Sequence, residues 1–174
     1  MRPYRITTVC MGNICRSPMA EAVLRSRIFD ADLADLVIVD SAGTGHWHVG
    51  EDADPRALAT LRSHGYDLQH SGRRFVAEWF DAEHPLLADL VLTMDASNFA
   101  RVRALAPSES ALGRVRMLRS FDPDLADLEV GDPRLDVPDP YYGGPEGFVD
   151  VLKMIELASD GVVTMLADRF RGTP

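Results

Sequence analysis

The chain has 174 residues, 46% apolar and 26% charged, which is the make-up of one ordinary globular domain, 1–174, able to bury a core without disulfide or metal staples. The net charge of −9, with no Lys/Arg run, argues against nucleic acid as a partner, and any anionic ligand must be caught by a local cradle. No apolar run reaches the length of a membrane span, and MRPYRITTV lacks a secretory core, so the expectation is a cytoplasmic protein that works off the membrane.

In chain order, Arg5 to Val9 is a short apolar run that ends at Cys10 and reads as a strand. Pro18 to Phe29 reads as a helix with Ala20, Val23, Leu24 and Ile28 on one face. Leu36 to Val39 has the continuous apolar pattern of a strand buried on both sides. Pro55 to His64 is a helix stopped by Gly65. Asp89 to Met94 is a third strand, Ser97 to Leu105 a helix ended before Pro107, and Arg114 to Leu118 a fourth strand. Phe121 to Gly144, rich in Asp, Pro and Gly, reads as a long irregular loop of the kind that often carries function. Pro145 to about Phe170 is a helix, with Gly161 as a point of interruption. Strands alternating with helices predict an α/β fold, a parallel sheet covered on both faces. Ligands of such sheets bind at the carboxyl ends of the strands, where Cys10 stands.

Cys10 and Cys15 are the only cysteines. They are too few for a secreted disulfide framework, and no further ligands stand nearby for zinc. They read either as small buried hydrophobes or as catalytic and redox groups. The stretch Cys10-Met11-Gly12-Asn13-Ile14-Cys15-Arg16-Ser17-Pro18 follows a strand and opens a helix. Pro18 suits the first helical position and Ser17 the cap before it. Gly12 and Asn13 tolerate the left-handed backbone of a tight curl. A curled backbone turns its N–H groups into one hollow, a nest for an anion such as phosphate. The helix N-terminus adds positive potential, and Arg16 a fork for two phosphate oxygens. The same donors favour the thiolate form of Cys10 and place it for in-line attack on phosphorus.

Read as a whole, C-x-G-N-I-C-R-S-P between strand and helix resembles the low-molecular-weight protein tyrosine phosphatases. The likeness extends through Asp40-Ser41-Ala42-Gly43-Thr44, Trp47 with Val49-Gly50, Asp54-Pro55-Arg56, His64-Gly65, His70 with Arg73, Met94-Asp95 with Ser97-Asn98, and Asp139-Pro140-Tyr141-Tyr142-Gly143. It implies a four-stranded parallel sheet flanked by helices, a phosphate loop between strand 1 and helix 1, a phosphocysteine intermediate, and no metal or other cofactor. The implied partners are tyrosine-phosphorylated proteins or peptides, with inorganic phosphate as product.

A leaving phenol oxygen needs a proton, and a carboxylic acid at the rim supplies it. Three Asp-Pro pairs offer one: Asp122-Pro123, Asp132-Pro133 and Asp139-Pro140. Chemistry alone does not choose among them. The Tyr-Tyr-Gly after Asp139 resembles the family's general-acid loop, and the other two are read as turns. By the same resemblance Trp47, Tyr141 and Tyr142 are pocket walls, with Met11 and Ile14 completing the lining. Asn13, Ser17, Ser41 and His70 are supports that brace the loop. Departures from the family pattern at Ser71-Gly72, at Glu78-Trp79 through His84 and at Leu128 to Asp136 are expected to reshape the rim. Cys15, five residues from Cys10 in a loop that curls back, is either a packing residue or a redox partner able to form a reversible disulfide, as the resemblance also suggests.

Three other readings compete. A thioredoxin-coupled arsenate reductase of this fold relays through three cysteines, and none follows Cys15. A protein-arginine phosphatase of the same family tends to carry Thr where Ile14 stands and lacks the paired tyrosines. A non-catalytic phosphate-binding module needs neither Cys10 nor Asp139.

Overall fold

The computed structural model describes residues 2–171. Four strands, β1 (Tyr4–Cys10), β2 (Val37–Gly43), β3 (Leu90–Thr93) and β4 (Val115–Met117), form one parallel sheet in the order β2-β1-β3-β4. Helices α1 (Arg16–Asp30), α2 (Pro55–Ser63), α3 (Ala96–Arg103), α4 (Glu109–Leu112) and α5 (Pro145–Phe170) connect and cover it. The alternation of side chains along each strand supplies two cores. Ile6, Val39 and Leu92 face α1 and α5 and pack with Leu24, Phe148 and Leu152. Val9, Val91 and Val115 face the other way, toward Val102 of α3 and the cluster Phe75, Trp79 and Phe80. Because β1 has β2 on one side and β3 on the other, the chain leaves its carboxyl end in a crevice between diverging connections, the position at which open α/β sheets bind ligands.

The predicted fold class matches this architecture, and the differences are local. The strand expected over Leu36–Val39 runs on to Gly43, because Asp40 and Ser41 are buried polar residues with partners: Asp40 takes Arg5 and the Thr7 hydroxyl, and Ser41 faces Glu21. An apolarity pattern ends at such residues although the strand does not. α1 begins at Arg16 with Cys15 before it and no side-chain cap. Ser17 and Pro18 are therefore inside the first turn, and the Ser17 hydroxyl is turned toward Cys10 instead of capping. The long loop holds a 3-10 turn, Pro133–Leu135. Others at Ala77–Phe80 and Leu118–Phe121, and the single turn α4, were too short to show a period. Trp79 is a core residue stacked edge-on against Phe75 at 5.2 Å, so this departure from the family pattern shapes the sheet's second face and not the rim.

α5 passes Gly161 without a break. The glycine is there for contact: a Cβ at this position would lie 1.8 Å from the Phe121 carbonyl oxygen. Alanine would gain about 1 kcal/mol in helix propensity. That gain is smaller than the overpacking cost of about 1–3 kcal/mol expected when a methyl meets a backbone atom. No helix among the described residues is long and apolar enough to cross a membrane.

Candidate active site

The loop from Cys10 to Ser17 is held open by its own carbonyl groups. Thr44 N–H donates to Cys10 O at 2.9 Å, Gly45 N–H to Met11 O at 2.9 Å, His70 Nε2 to Asn13 O at 2.7 Å and Asp54 N–H to Ile14 O at 2.7 Å. With these acceptors turned outward, the N–H groups of Met11, Gly12, Ile14, Cys15, Arg16 and Ser17 have no protein acceptor among the described residues. Asn13 N–H points at Cys10 Sγ, 3.3 Å away. The result is an anion nest at the start of α1, with a sulfur at its floor.

Asn13 alone takes the left-handed backbone, at φ 58°. Gly12 does not share it, contrary to the sequence reading. Gly12 leaves room for the His48 ring, whose Cδ2 would stand 3.2 Å from an added Cβ. The cost of the Asn13 conformation is offset by a fully used side chain. Its Nδ2 donates to Ser17 Oγ at 3.0 Å and Ser41 Oγ at 2.9 Å, and its Oδ1 accepts from Arg73 N–H at 2.8 Å. Ser17 Oγ lies 3.0 Å from Cys10 Sγ. Ser41 Oγ–H donates to Glu21 at 2.6 Å, and Glu21 pairs with Arg25. Burial lowers the His70 pKa below the usual histidine value, against the opposing pull of the Asn13 carbonyl. The His70 Nε2 donates, because the Asn13 carbonyl oxygen can only accept. The four expected supports thus meet in one network, to which Glu21 is an unforeseen buried member. A lone Glu in a helix carries no sequence signal for such a role.

Arg16 is 3% exposed in its side chain. Nη1 donates to Asp95 at 2.6 Å and to Val137 O at 3.0 Å, and Nη2 reaches Asp139 at 3.3 Å. Burial would lower its pKa, but Cys10, Asp95 and Asp139 outweigh burial and hold it above the ordinary arginine value. With Nη1 anchored, the Nε–Nη2 edge is the fork left for two oxygens of an anion. Asp95 was part of the family-like pattern with no role assigned. Its position just past β3, at the carboxyl edge of the sheet, was the available signal.

The three Asp-Pro carboxylates now separate. Asp122 accepts from Asp124 N–H, and Asp132 from Arg134 N–H, as turn residues do. The Arg134 side chain, chelating Asp132, holds that carboxyl's pKa down at about 2. Asp139 makes the same local bond to Tyr141 N–H at 3.2 Å but also reaches Arg16 and lines the pocket.

That pocket has a volume of about 320 Å³ and is lined by Cys10, Met11, Gly12, Ile14, Cys15, Arg16, Trp47, His48, Asp139, Tyr141 and Tyr142. Trp47 stacks on His46 at 5.5 Å and lies over Gly45, whose Cβ would fall 1.9 Å from the indole ring. Tyr141 and Tyr142 meet edge to face at 5.0 Å. His48 is a lining residue that motif reading did not single out; its Nδ1 is 2.6 Å from Glu51. Gly72 lets its irregular segment lie against residues 48–51, because a Cβ there would sit 2.1 Å from His48 O.

A strand, a nest and a helix with cysteine, arginine and a rim carboxylate define a cysteine-dependent phosphatase type of site. The model of the family "Low molecular weight phosphotyrosine protein phosphatase" matches residues 5–171. A low molecular weight protein-tyrosine-phosphatase of Streptomyces coelicolor is 52% identical over 97% of both chains. Low molecular weight protein-tyrosine phosphatase A of Mycobacterium tuberculosis is 46% identical over 96% of this chain and 94% of its own. The crystal structure of a protein tyrosine phosphatase from Entamoeba histolytica superposes with a TM-score of 0.83 at 32% identity, covering 95% of this chain and 97% of that one. The chain belongs to the low molecular weight phosphotyrosine protein phosphatase family.

Proposed function

We propose that this chain hydrolyses phosphotyrosine in proteins or peptides through a phosphocysteine intermediate, residues 1–174 working as one domain in the cytoplasm. The observation that carries the reading is the placement of the Cys10 sulfur, the free loop N–H groups, Arg16 and Asp139 around one aromatic-walled pocket. Its volume suits a phenyl phosphate.

In the first step the Cys10 thiolate attacks phosphorus. The S–P bond forms as the bond to the phenol oxygen breaks, and that oxygen takes the Asp139 proton. Arg16 and the N–H groups of Met11, Gly12 and Ile14 through Ser17 hold the three equatorial oxygens as charge gathers on them, while Asn13 N–H faces the sulfur. In the second step water attacks phosphorus and gives a proton to Asp139. The thiolate leaves toward the Ser17 hydroxyl, and inorganic phosphate is released. Met11 and Ile14 from the loop, with Trp47, Tyr141 and Tyr142, sandwich the ring. Ile14 suits a phenyl group better than a guanidinium, which favours phosphotyrosine over phosphoarginine. The test is an assay in EDTA on phosphotyrosine, phosphoserine and phosphoarginine peptides of matched sequence. Phosphotyrosine should be cleaved at least about 100-fold faster than either. Faster release from phosphoarginine would overturn the assignment.

Cys15 is proposed as the redox partner of Cys10. Both thiols are free and buried, and both line the pocket, through which a small oxidant can arrive. Hydrogen peroxide converts the Cys10 thiolate to a sulfenic acid. Cys15 then attacks that sulfur, forming the S–S bond as the sulfenic oxygen leaves with a proton as water. Burial, with Asp54, Cys10 and Asp139 nearby, pushes the Cys15 pKa up to about 12. Little thiolate is present at neutral pH, so closure should quicken as pH rises. After peroxide and then dithiothreitol, the wild type should regain most activity and Cys15→Ser little. Equal recovery would make Cys15 a packing residue.

A further inference from the structure

The pocket explains a phenyl phosphate but not what surrounds it in a substrate chain. Four of the ten exposed large apolar side chains among the described residues stand at this one mouth: Met11, Trp47, Tyr141 and Tyr142. Tyr142 is 94% exposed and Trp47 57%. A ring sandwiched in the pocket can cover only the inner faces of these side chains. Their outer faces remain an apolar collar at the level where neighbouring residues of a bound peptide must run.

The charges at the mouth point the same way. Among the described residues, both arginines there are already committed. Arg16 is held by Asp95 and Asp139. Arg56 places Nε and Nη2 on Asp54, Nη1 on Gly143 O, and its plane over the Tyr141 and Phe148 rings. His48 faces Glu51. Carboxylates follow the wall residues in the chain: Glu51, which faces His48, and Asp52 after the Trp47 turn, and Glu146 after Tyr142, all three exposed. An acidic residue beside the phosphotyrosine would find no unpaired cation and would add to repulsion from a chain of net charge −9. An apolar one would cover the collar.

We propose that the collar of Met11, Trp47, Tyr141 and Tyr142 selects phosphotyrosines flanked by apolar residues and disfavours acidic flanks. This rests on the phosphotyrosine reading above and names the kind of segment that site takes. Roughly 55 Å² of apolar surface covered per peptide is enough for a tenfold preference, about 1.4 kcal/mol.

The experiment uses four peptides with one central phosphotyrosine, flanked on each side by two Leu, two Ser, two Glu or two Lys. They are assayed in about 0.15 M salt, where long-range fields are screened beyond roughly 8 Å. Expected is a kcat/KM about tenfold higher for the Leu peptide than for the Ser peptide, lower still for Glu, with the difference in KM. Trp47→Ser and Tyr142→Ser should each bring the Leu-to-Ser ratio down to threefold or less. Both side chains are exposed, so the core is untouched. Equal rates on all four peptides, a Glu or Lys peptide as the best substrate, or an unchanged ratio in both variants would overturn the proposal. Cleavage of none of the four would instead overturn the phosphotyrosine reading on which it depends.

Discussion

Cys10→Ser should lower turnover by at least about 10⁴-fold while leaving the fold and anion binding in place. The substitution exchanges one small buried atom for another at the floor of the loop, where the wild-type sulfur lies 3.0 Å from Ser17 Oγ and 3.3 Å from Asn13 N–H. No carbonyl that props the loop open is altered. A serine hydroxyl is not ionised near neutral pH, so the nucleophile is lost although its position is kept. Inorganic phosphate or vanadate should still bind, because the N–H groups and the Arg16 fork remain. The check is steady-state kinetics on an aryl phosphate beside phosphate titration and circular dichroism of the same sample. Wild-type turnover would remove Cys10 from the nucleophile role. Arg16→Ala is a poorer test of the chemistry. It takes a buried cation away from Asp95 and Asp139 and leaves Val137 O without its donor, so a loss of stability of about 3 kcal/mol or more accompanies the loss of binding.

The second large effect belongs to the rim carboxylate. Asp139→Asn should slow phosphotyrosine hydrolysis by about 10²- to 10³-fold, the range of general-acid catalysis, and slow an ester of a strongly acidic phenol by less than about tenfold. A tyrosine hydroxyl has a pKa of roughly 10 and must be protonated as it leaves, whereas an acidic phenol departs as the anion. Asparagine keeps the shape of the side chain but only one acceptor oxygen, enough for either Arg16 Nη2 or Tyr141 N–H, which bond separate oxygens of Asp139. The informative quantity is the ratio of the two losses, since a mere displacement of the loop would slow both substrates alike. Equal losses would remove Asp139 from the acid role.

The parts of this protein legible in its sequence are those that local rules decide. Buried strands and amphipathic helices of ordinary length announce themselves by period, and the Cys10–Pro18 stretch announces a nest because glycine, asparagine, arginine and proline each have few conformational uses. The local curl, the candidate nucleophile and the parallel α/β architecture were readable there. Partners far apart in the chain were not. Asp95 and Val137 fix one edge of Arg16 from 79 and 121 residues away. Glu21 and Arg73 close the bonds that hold Ser41 and Asn13. None of these has a periodic or neighbouring signal, because a hydrogen bond depends on the meeting of two surfaces and not on either sequence alone. The same reason separated the three Asp-Pro pairs. Each makes the same local turn, so sequence chemistry left them equivalent. Only the return of the chain past the carboxyl ends of β1 and β3 carries Asp139 to Arg16 and keeps Asp122 and Asp132 in their turns. Gly161 was misread for a related cause: helix propensity is a property of one element, whereas its contact with the Phe121 carbonyl exists only once α5 is packed.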